Sequence, residues 1–411
     1  MIYIILFVLL NVWLLFRYYK RPIGVFEPPF LMACISLTVL LPQFTSIYFV
    51  DFYPNSLIPL LGYTMISGNL FFTIGYERSI AKYENRRSES IIDLRYDNIS
   101  IGVFLFIATA FACYSLELYD MPNADMVAAA NFKGMAFLAV ALSLIAYKRT
   151  NKKKYLIWFA IASIPVINFI FFIKGSRGDS LVLFLNILFF LSLYDKWRGK
   201  AKKLAFIFLL LGSVLSASIT MVRQNIHGDE YEGNTNVWEN YKESFVQNEF
   251  MHGMDLGNAA LLIDYCYENS SYRFGLSFWN NFVYNYVPKR FFGEDFKRSL
   301  MLEDDYEDEV EIITCGVTTT TCYSDAFHSF SIFGFVLFFI VGYGLGYVMT
   351  RIFISDFYLF LYFQIIGFIP VTFTHSMQYL FARFEYIFIF ILPFMFLLGV
   401  CKIKRIANIE K

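Results

Sequence analysis

Runs of about 20 consecutive apolar residues recur along this chain, the length a helix needs to cross the ~30 Å hydrocarbon core of a bilayer. Eleven can be placed, over 1–17, 27–50, 56–76, 99–118, 131–147, 155–173, 180–194, 204–222, 327–349, 356–374 and 384–401. No soluble domain hides so many. The 411 residues are 57% hydrophobic and 17% charged, with 49 Phe and 29 Tyr. The expected fold is an all-α polytopic membrane protein of about 11 transmembrane helices, with one large loop between the eighth and ninth. Met1 to Phe16 has no basic stretch before it and no small-residue cleavage site after it, so it reads as a retained first helix. The first and seventh runs are short, which favours a different tilt or an extension into the interface.

Lys and Arg orient the chain. Alternate connections, starting after the first run, are 17–21, 77–98, 147–154, 195–203, 350–355 and the tail from 402. Together they hold 23 basic residues. The opposite short connections hold four: Lys133, Lys174, Arg177 and Arg383. A miscounted helix would break this alternation, so the N-terminus is expected outside and the C-terminus inside. Three parts follow: 1–222 with eight helices, a 223–326 loop or cap, and 327–411 with three helices and a tail. The 223–326 segment carries 7 Lys+Arg against 19 Asp+Glu and is rich in Asn, Tyr and Trp. About 100 residues suffice for a small cap packed on the membrane part.

Cys34, Cys113 and Cys401 read as apolar packing residues. Cys315 and Cys322 either form a disulfide or remain free thiols. No cysteine spacing matches a metal site, and the acidic run 303–311 lacks the Gly and alternating oxygens of a calcium loop.

Basic residues on the disfavoured side are the candidates for chemistry. Lys174-Gly175-Ser176-Arg177-Gly178-Asp179 is a tight outward turn whose glycines let backbone approach a ligand. Arg177 either forks onto a phosphate or pairs with Asp179. Arg223, followed by Gln224, sits where the eighth helix leaves the membrane, binding anion or snorkelling to headgroups. Tyr284-Asn285-Tyr286-Val287-Pro288-Lys289-Arg290 concentrates positive charge in an acidic loop. Lys297 and Arg298 extend it, and an interfacial helix on anionic lipid is the rival reading. His328 opens the ninth helix, as a phosphate donor, a general base or an interfacial polar residue. Gly334, Gly342, Gly344 and Gly346 suggest close helix packing. His375 opens a short outer loop, 375–383, that ends at Arg383; His227, His252 and Glu249 are weaker candidates. Arg177, Arg223, Lys289, Arg290 and His328 all fall on one side at element ends, a cradle suited to a diphosphate.

In these features the chain resembles the Wzy-type polymerases of bacterial surface polysaccharides, which join oligosaccharide repeat units such as O-antigen. The likeness covers most of the length. It rests on the many helices with one late outer loop and on Gly175-Ser176-Arg177-Gly178. It rests too on Arg223, on Val287-Pro288-Lys289-Arg290-Phe291, and on the ninth-helix start through Phe333-Gly334. Val287-Pro288-Lys289-Arg290 is similar to the family's Ile-Pro-Arg element with a Lys before the Arg, so either cation can take its role. His328-Ser329 resembles the helix start of the related O-antigen ligases.

The resemblance implies a metal-independent, GT-C-like glycosyltransferase of the inner membrane with its site facing the periplasm. Donor and acceptor would be undecaprenyl-diphosphate-linked oligosaccharides, with membrane lipid and a chain-length regulator as partners, and no cofactor, metal or nucleic acid. Arg177, Arg223 and Arg290 would hold the diphosphate, and His328 would activate the acceptor or add a phosphate contact. Lys174, Gln224, Lys289, Arg383 and His375 would line the substrate, and Trp238, Trp279 and Tyr284 would stack on sugars. The first outer connection carries only Asp51, whereas metal-dependent GT-C enzymes need acids there. The rivals are an O-antigen ligase, with the same donor and a lipid A-core acceptor, and a flippase. Paired halves with broken helices would mark a transporter, and the sequence shows no such repeat.

Overall fold

The computed structural model describes residues 1–49, 54, 56–83, 92–96, 98–120, 126–170, 177–227, 255–287, 292–302 and 320–403, with only the backbone path at 98, 119–120, 126–131, 177 and 212–227. In chain order come α1 (Ile2–Tyr19), α2 (Pro28–Phe49), α3 (Leu57–Tyr83), α4 (Asn98–Asp120) and α5 (Met126–Thr150). Then come α6 (Lys154–Asn168), α7 (Arg177–Ser192), α8 (Asp195–His227), α9 (Asp255–Asn269), α10 (Leu276–Tyr286) and α11 (Glu294–Leu300). The last are α12 (Cys322–Phe330), α13 (Phe335–Met349), α14 (Asp356–Ile365), α15 (Phe368–Thr374) and α16 (Gln378–Leu397). Among the described residues, seven stretches are long and apolar enough to cross a membrane: α1, α2, α3, Ile99–Leu118 in α4, Cys322–Met349, Asp356–Thr374 and α16. This is an all-α, multi-pass membrane protein. Many large apolar side chains of these helices, such as Ile5, Leu9 and Phe16 of α1, point away from the bundle.

Each expected apolar run contains helix, but several edges move. α3 runs to Tyr83 rather than 76, and α8 is helical from Asp195 rather than 204 and continues to His227. α16 starts at Gln378 rather than 384, which shrinks the expected 375–383 loop to a turn and puts Arg383 inside a helix. Within 223–326 stand α9, α10 and α11.

The ninth helix departs most from expectation. It does not start at 327 and run straight to 349. α12 begins at Cys322, Ser331 turns the chain at φ 54°, and α13 doubles back. Tyr323 and Phe338 are fifteen positions apart yet stack with ring centroids 5.4 Å apart, where a continuous helix would separate them by about 22 Å. Every residue from Cys322 to Ser329 is buried. The chain therefore enters the bundle interior as a re-entrant helix before it turns. Cys322 is a free, buried thiol, and Cys315, its expected partner or fellow thiol, lies outside the described residues.

α13 packs along α3 backbone to backbone. A Cβ on Gly342 would sit 2.1 Å from the Phe72 carbonyl oxygen, and one on Gly75 would sit 2.2 Å from that of Phe339. Gly346 abuts Tyr76 in the same way, but Gly344 faces open space. With no water to drive apolar association inside a bilayer, such close approach supplies dispersion contact instead. α14 and α15 are separated by a break at Ile366-Gly367. Pro370 offers no N–H to the Ile366 carbonyl, and Gly367 admits Val182 of α7 so closely that a Cβ would lie 2.4 Å from its Cα.

The basic connections gather at one pole. Arg21 bridges Glu27 and Glu77 at 2.7 Å each, and Tyr76 donates to Glu27 at 2.9 Å. Arg149 and Tyr96 meet at Asp356, Lys202 donates to the Arg21 carbonyl at 3.0 Å, and β1 (Ile92–Leu94) pairs antiparallel with β2 (Cys401–Ile403). We expect Gly342→Leu to lower the melting temperature of the purified protein by several degrees and Gly344→Leu to leave it within error. Equal losses would mean that the α3–α13 approach is not decisive.

Candidate functional site

The opposite pole is built from α5, α7, α14 to α16 and the cap helices. Asp179 lies in the first turn of α7, where a carboxylate favours the helix dipole. Lys133 of α5 reaches it at 2.8 Å, and both side chains are largely buried. Next to Lys133, Gly134 leaves room for Arg383. A Cβ there would lie 3.0 Å from Arg383 Nη1 and 3.3 Å from the Tyr386 ring. Arg383 sits about 8 Å down α16 from its start and is only 7% exposed. Its Nη2 donates to Gln364 Oε1, and Gln364 Nε2 donates to the Phe137 carbonyl at 3.3 Å. The guanidinium rests 5.2 Å from the Phe368 ring and 5.4 Å from that of Tyr386. Its Nε is buried with no hydrogen-bond partner among the described residues.

Three groups border this cluster. Tyr379 of α16 feels the charges of Lys133 and of Asp255 at the start of α9. His375 packs edge-on against Tyr379 at 6.0 Å, its Nδ1 2.9 Å from Thr374 Oγ1. Tyr286 of α10 donates to the Ala382 carbonyl at 2.9 Å. Burial, and then the Glu385 carboxylate, hold the Tyr286 phenol above its ordinary range, so it stays a donor.

The re-entrant helix closes the pole from inside. Asp325 is buried and accepts from Ser376 Oγ at 2.6 Å, Met377 N–H at 2.8 Å and Thr320 Oγ1 at 3.4 Å. It thereby fastens the α15–α16 turn to α12. The cap is fastened by Gln43 of α2, whose Oε1 accepts the Leu256 N–H of α9 at 2.9 Å.

The sequence-derived candidates divide accordingly. Arg383 belongs to the cluster and His375 borders it, and Arg177 heads α7 two residues before Asp179, placed by its backbone. Asp179 takes Lys133 as its salt-bridge partner. Arg223 and Gln224 lie in the last turns of α8, also placed by backbone alone. His328 is 1% exposed inside α12 and its carbonyl accepts the Arg273 N–H at 2.9 Å, so it is an interior residue rather than an open helix start. Trp279 and Tyr284 are about half exposed and engage α11: Trp279 Nε1 donates to the Leu300 carbonyl, and Lys297 donates to the Tyr284 carbonyl. Lys174, Trp238, Lys289 and Arg290 lie outside the described residues. Sequence reasoning passed over Lys133 and Gln364. Lys133 was legible as one of four cations on the sparse side, whereas Gln364 had no local mark.

No family model matches the chain, and neither a curated protein nor a solved structure is detectably similar to it.

Lys133→Met should cost about 3 kcal/mol, because the buried Asp179 carboxylate would lose the ammonium that it pairs with at 2.8 Å. Adding Asp179→Leu should return part of that loss. Purely additive losses in a double-mutant cycle of thermal unfolding would show that the two are not coupled.

Proposed function

We propose that this protein is a repeat-unit polymerase of the bacterial inner membrane, a GT-C-like glycosyltransferase with eleven spans. In this reading the basic pole faces the cytoplasm and the Lys133–Arg383 pole faces the periplasm. The observation that carries the reading is Arg383: a buried guanidinium with a donor unclaimed among the described residues, beside Lys133 and below the head of α7. A desolvated cation held by a neutral amide and two aromatic rings has charge to spend on a ligand.

The donor is a glycan on undecaprenyl diphosphate and the acceptor is the terminal sugar of a second lipid-linked unit. The acceptor hydroxyl oxygen bonds to the donor's anomeric carbon as the bond from that carbon to the diphosphate oxygen breaks. The hydroxyl proton passes to a base, and the diphosphate leaves carrying the electron pair. Negative charge grows on it, and fixed donors in a site of low dielectric stabilise that growth without reorganising. Arg383 and Lys133 serve this role with Arg177, whose helix also turns its positive end to the anion. Arg223 and Arg290 are further phosphate contacts. His328, enclosed in α12, acts by positioning that helix against the α15–α16 turn. A chain-length regulator is the expected protein partner.

Purified protein reconstituted with lipid-linked repeat unit should lengthen the glycan, with or without a chelator. Arg383→Ala should lower that rate by about 100-fold while the protein remains inserted, and Arg383→Lys should not restore it, since one point charge cannot replace the planar fork. Movement of the lipid across the bilayer without lengthening would identify a flippase. Transfer only to lipid A-core would identify a ligase.

A further inference from the structure

α10 and α11 form a hairpin that turns its polar groups on itself. Asn280 holds Leu302 from both sides, Nδ2 donating to the carbonyl at 2.8 Å and Oδ1 accepting the N–H at 3.0 Å. Trp279 Nε1 reaches the Leu300 carbonyl at 2.9 Å, and Lys297 Nζ reaches the Tyr284 carbonyl at 2.8 Å while lying 4.4 Å from the Tyr284 ring centroid. These bonds satisfy backbone groups at the end of each helix and leave the apolar side chains outward. α11 buries none of its residues. Phe274, Trp279, Phe292, Phe296 and Leu302 are between 46% and 74% exposed. On a water-facing surface, so much clustered aromatic area marks a binding face.

Its surroundings say what covers it. At one end, the Phe274 N–H donates to the Ser329 carbonyl at 3.0 Å, and Gly275 lies against the Phe330 ring. Phe330, Ile332 and Phe333 are exposed there, and the outward face continues into Val336 and Ile340 of α13. At the other end, Phe278 packs edge-on against Phe381 at 5.2 Å. Tyr286 bonds the Ala382 carbonyl and packs 5.6 Å from Phe390, which lies about 18 Å along α16 from its start. Phe388, Ile389 and Phe390 are likewise exposed. The hairpin thus lies against the outward, apolar sides of two helices that form the membrane part, and its aromatic face continues theirs. Lys297 and Arg298 occupy the last turn of α11, Arg298 also reaching Glu294 one turn earlier at 3.2 Å, on a segment that is otherwise acidic. Long basic side chains beside an aromatic face match headgroup phosphates above acyl chains.

We propose that α10 and α11 are seated in the phospholipid leaflet at this pole, with Trp279 and Phe296 among the acyl chains and Lys297 and Arg298 at anionic headgroups. This inference rests on the multi-pass membrane fold and not on glycosyl transfer, so its failure would leave the proposed activity untouched. It replaces sugar stacking as the role of Trp279.

The test uses the full protein in nanodiscs of phosphatidylethanolamine and phosphatidylglycerol with brominated chains. The Trp279 emission is taken as the difference between the native protein and Trp279→Phe. Phe296→Trp in that background reports from the second helix. Both indoles should lose about half of their intensity to bromines just below the glycerol and less to bromines near the chain ends, as an interfacial aromatic does. If either indole keeps its emission in brominated discs and is quenched instead by aqueous iodide, the hairpin faces water and the proposal falls. Quenching relieved by added oligosaccharide, with no bromine effect, would overturn it in favour of a sugar platform.

Discussion

Asn69 sits at the middle of α3 with no exposure at all, and the bundle is arranged around its amide. Its Nδ2 donates to Asn11 of α1 and Ser36 of α2, each at 3.0 Å, and its Oδ1 accepts from Tyr323 of α12 at 2.6 Å. Four helices meet on one side chain. Within hydrocarbon an unpaired amide costs several kcal/mol, so this set of partners fixes relative height as well as contact. Apolar packing alone would let α1, α2 and α3 slide. The knot also explains how a re-entrant helix persists. Tyr323 anchors its first turn at mid-bundle, while Ser324 Oγ accepts the Thr321 N–H at 3.2 Å just before it.

From that anchor the arrangement of the Lys133–Arg383 pole follows. α12 is held at depth, so Asp325 can fasten the α15–α16 turn from within. The turn in turn sets the height of α16 and so the level of Arg383 opposite Gln364 and Gly134. The break at Gly367 lets α7 approach closely enough for Asp179 to meet Lys133. Three irregularities, the π-turn at Ser36–Leu40, the Ser331 turn and the Ile366-Gly367 break, border this region. Helices that were straight throughout would leave no buried polar cluster there.

Much of the architecture was legible because it obeys one-dimensional rules. Apolar run length marked the helices, and the clustering of Lys and Arg foretold which connections share a pole. Arg21, Arg149, Lys202 and Asp356 do meet at a single end. Glycines were legible in kind but not in detail. Gly342 and Gly346 face α3 as their spacing implies, whereas Gly344 points away, because only every third or fourth position shares a face. His328 misled. A polar residue at the head of an apolar run reads as interfacial, and the doubling back of α12 placed it inside instead.

The chain by itself determined that this is a helical membrane protein with one sparse and one basic pole, since hydrocarbon thickness and backbone hydrogen bonding leave no other option for such runs. It also marked Arg383 and Arg177 as misfit charges. Only tertiary structure decided what those charges face. Lys133, Asp179, Gln364 and Arg383 come from four helices spread over some 250 positions, and no local pattern states which helix lies beside which. That choice belongs to polar partners that must find one another inside an apolar medium, and partnership of that kind exists only once the bundle has closed.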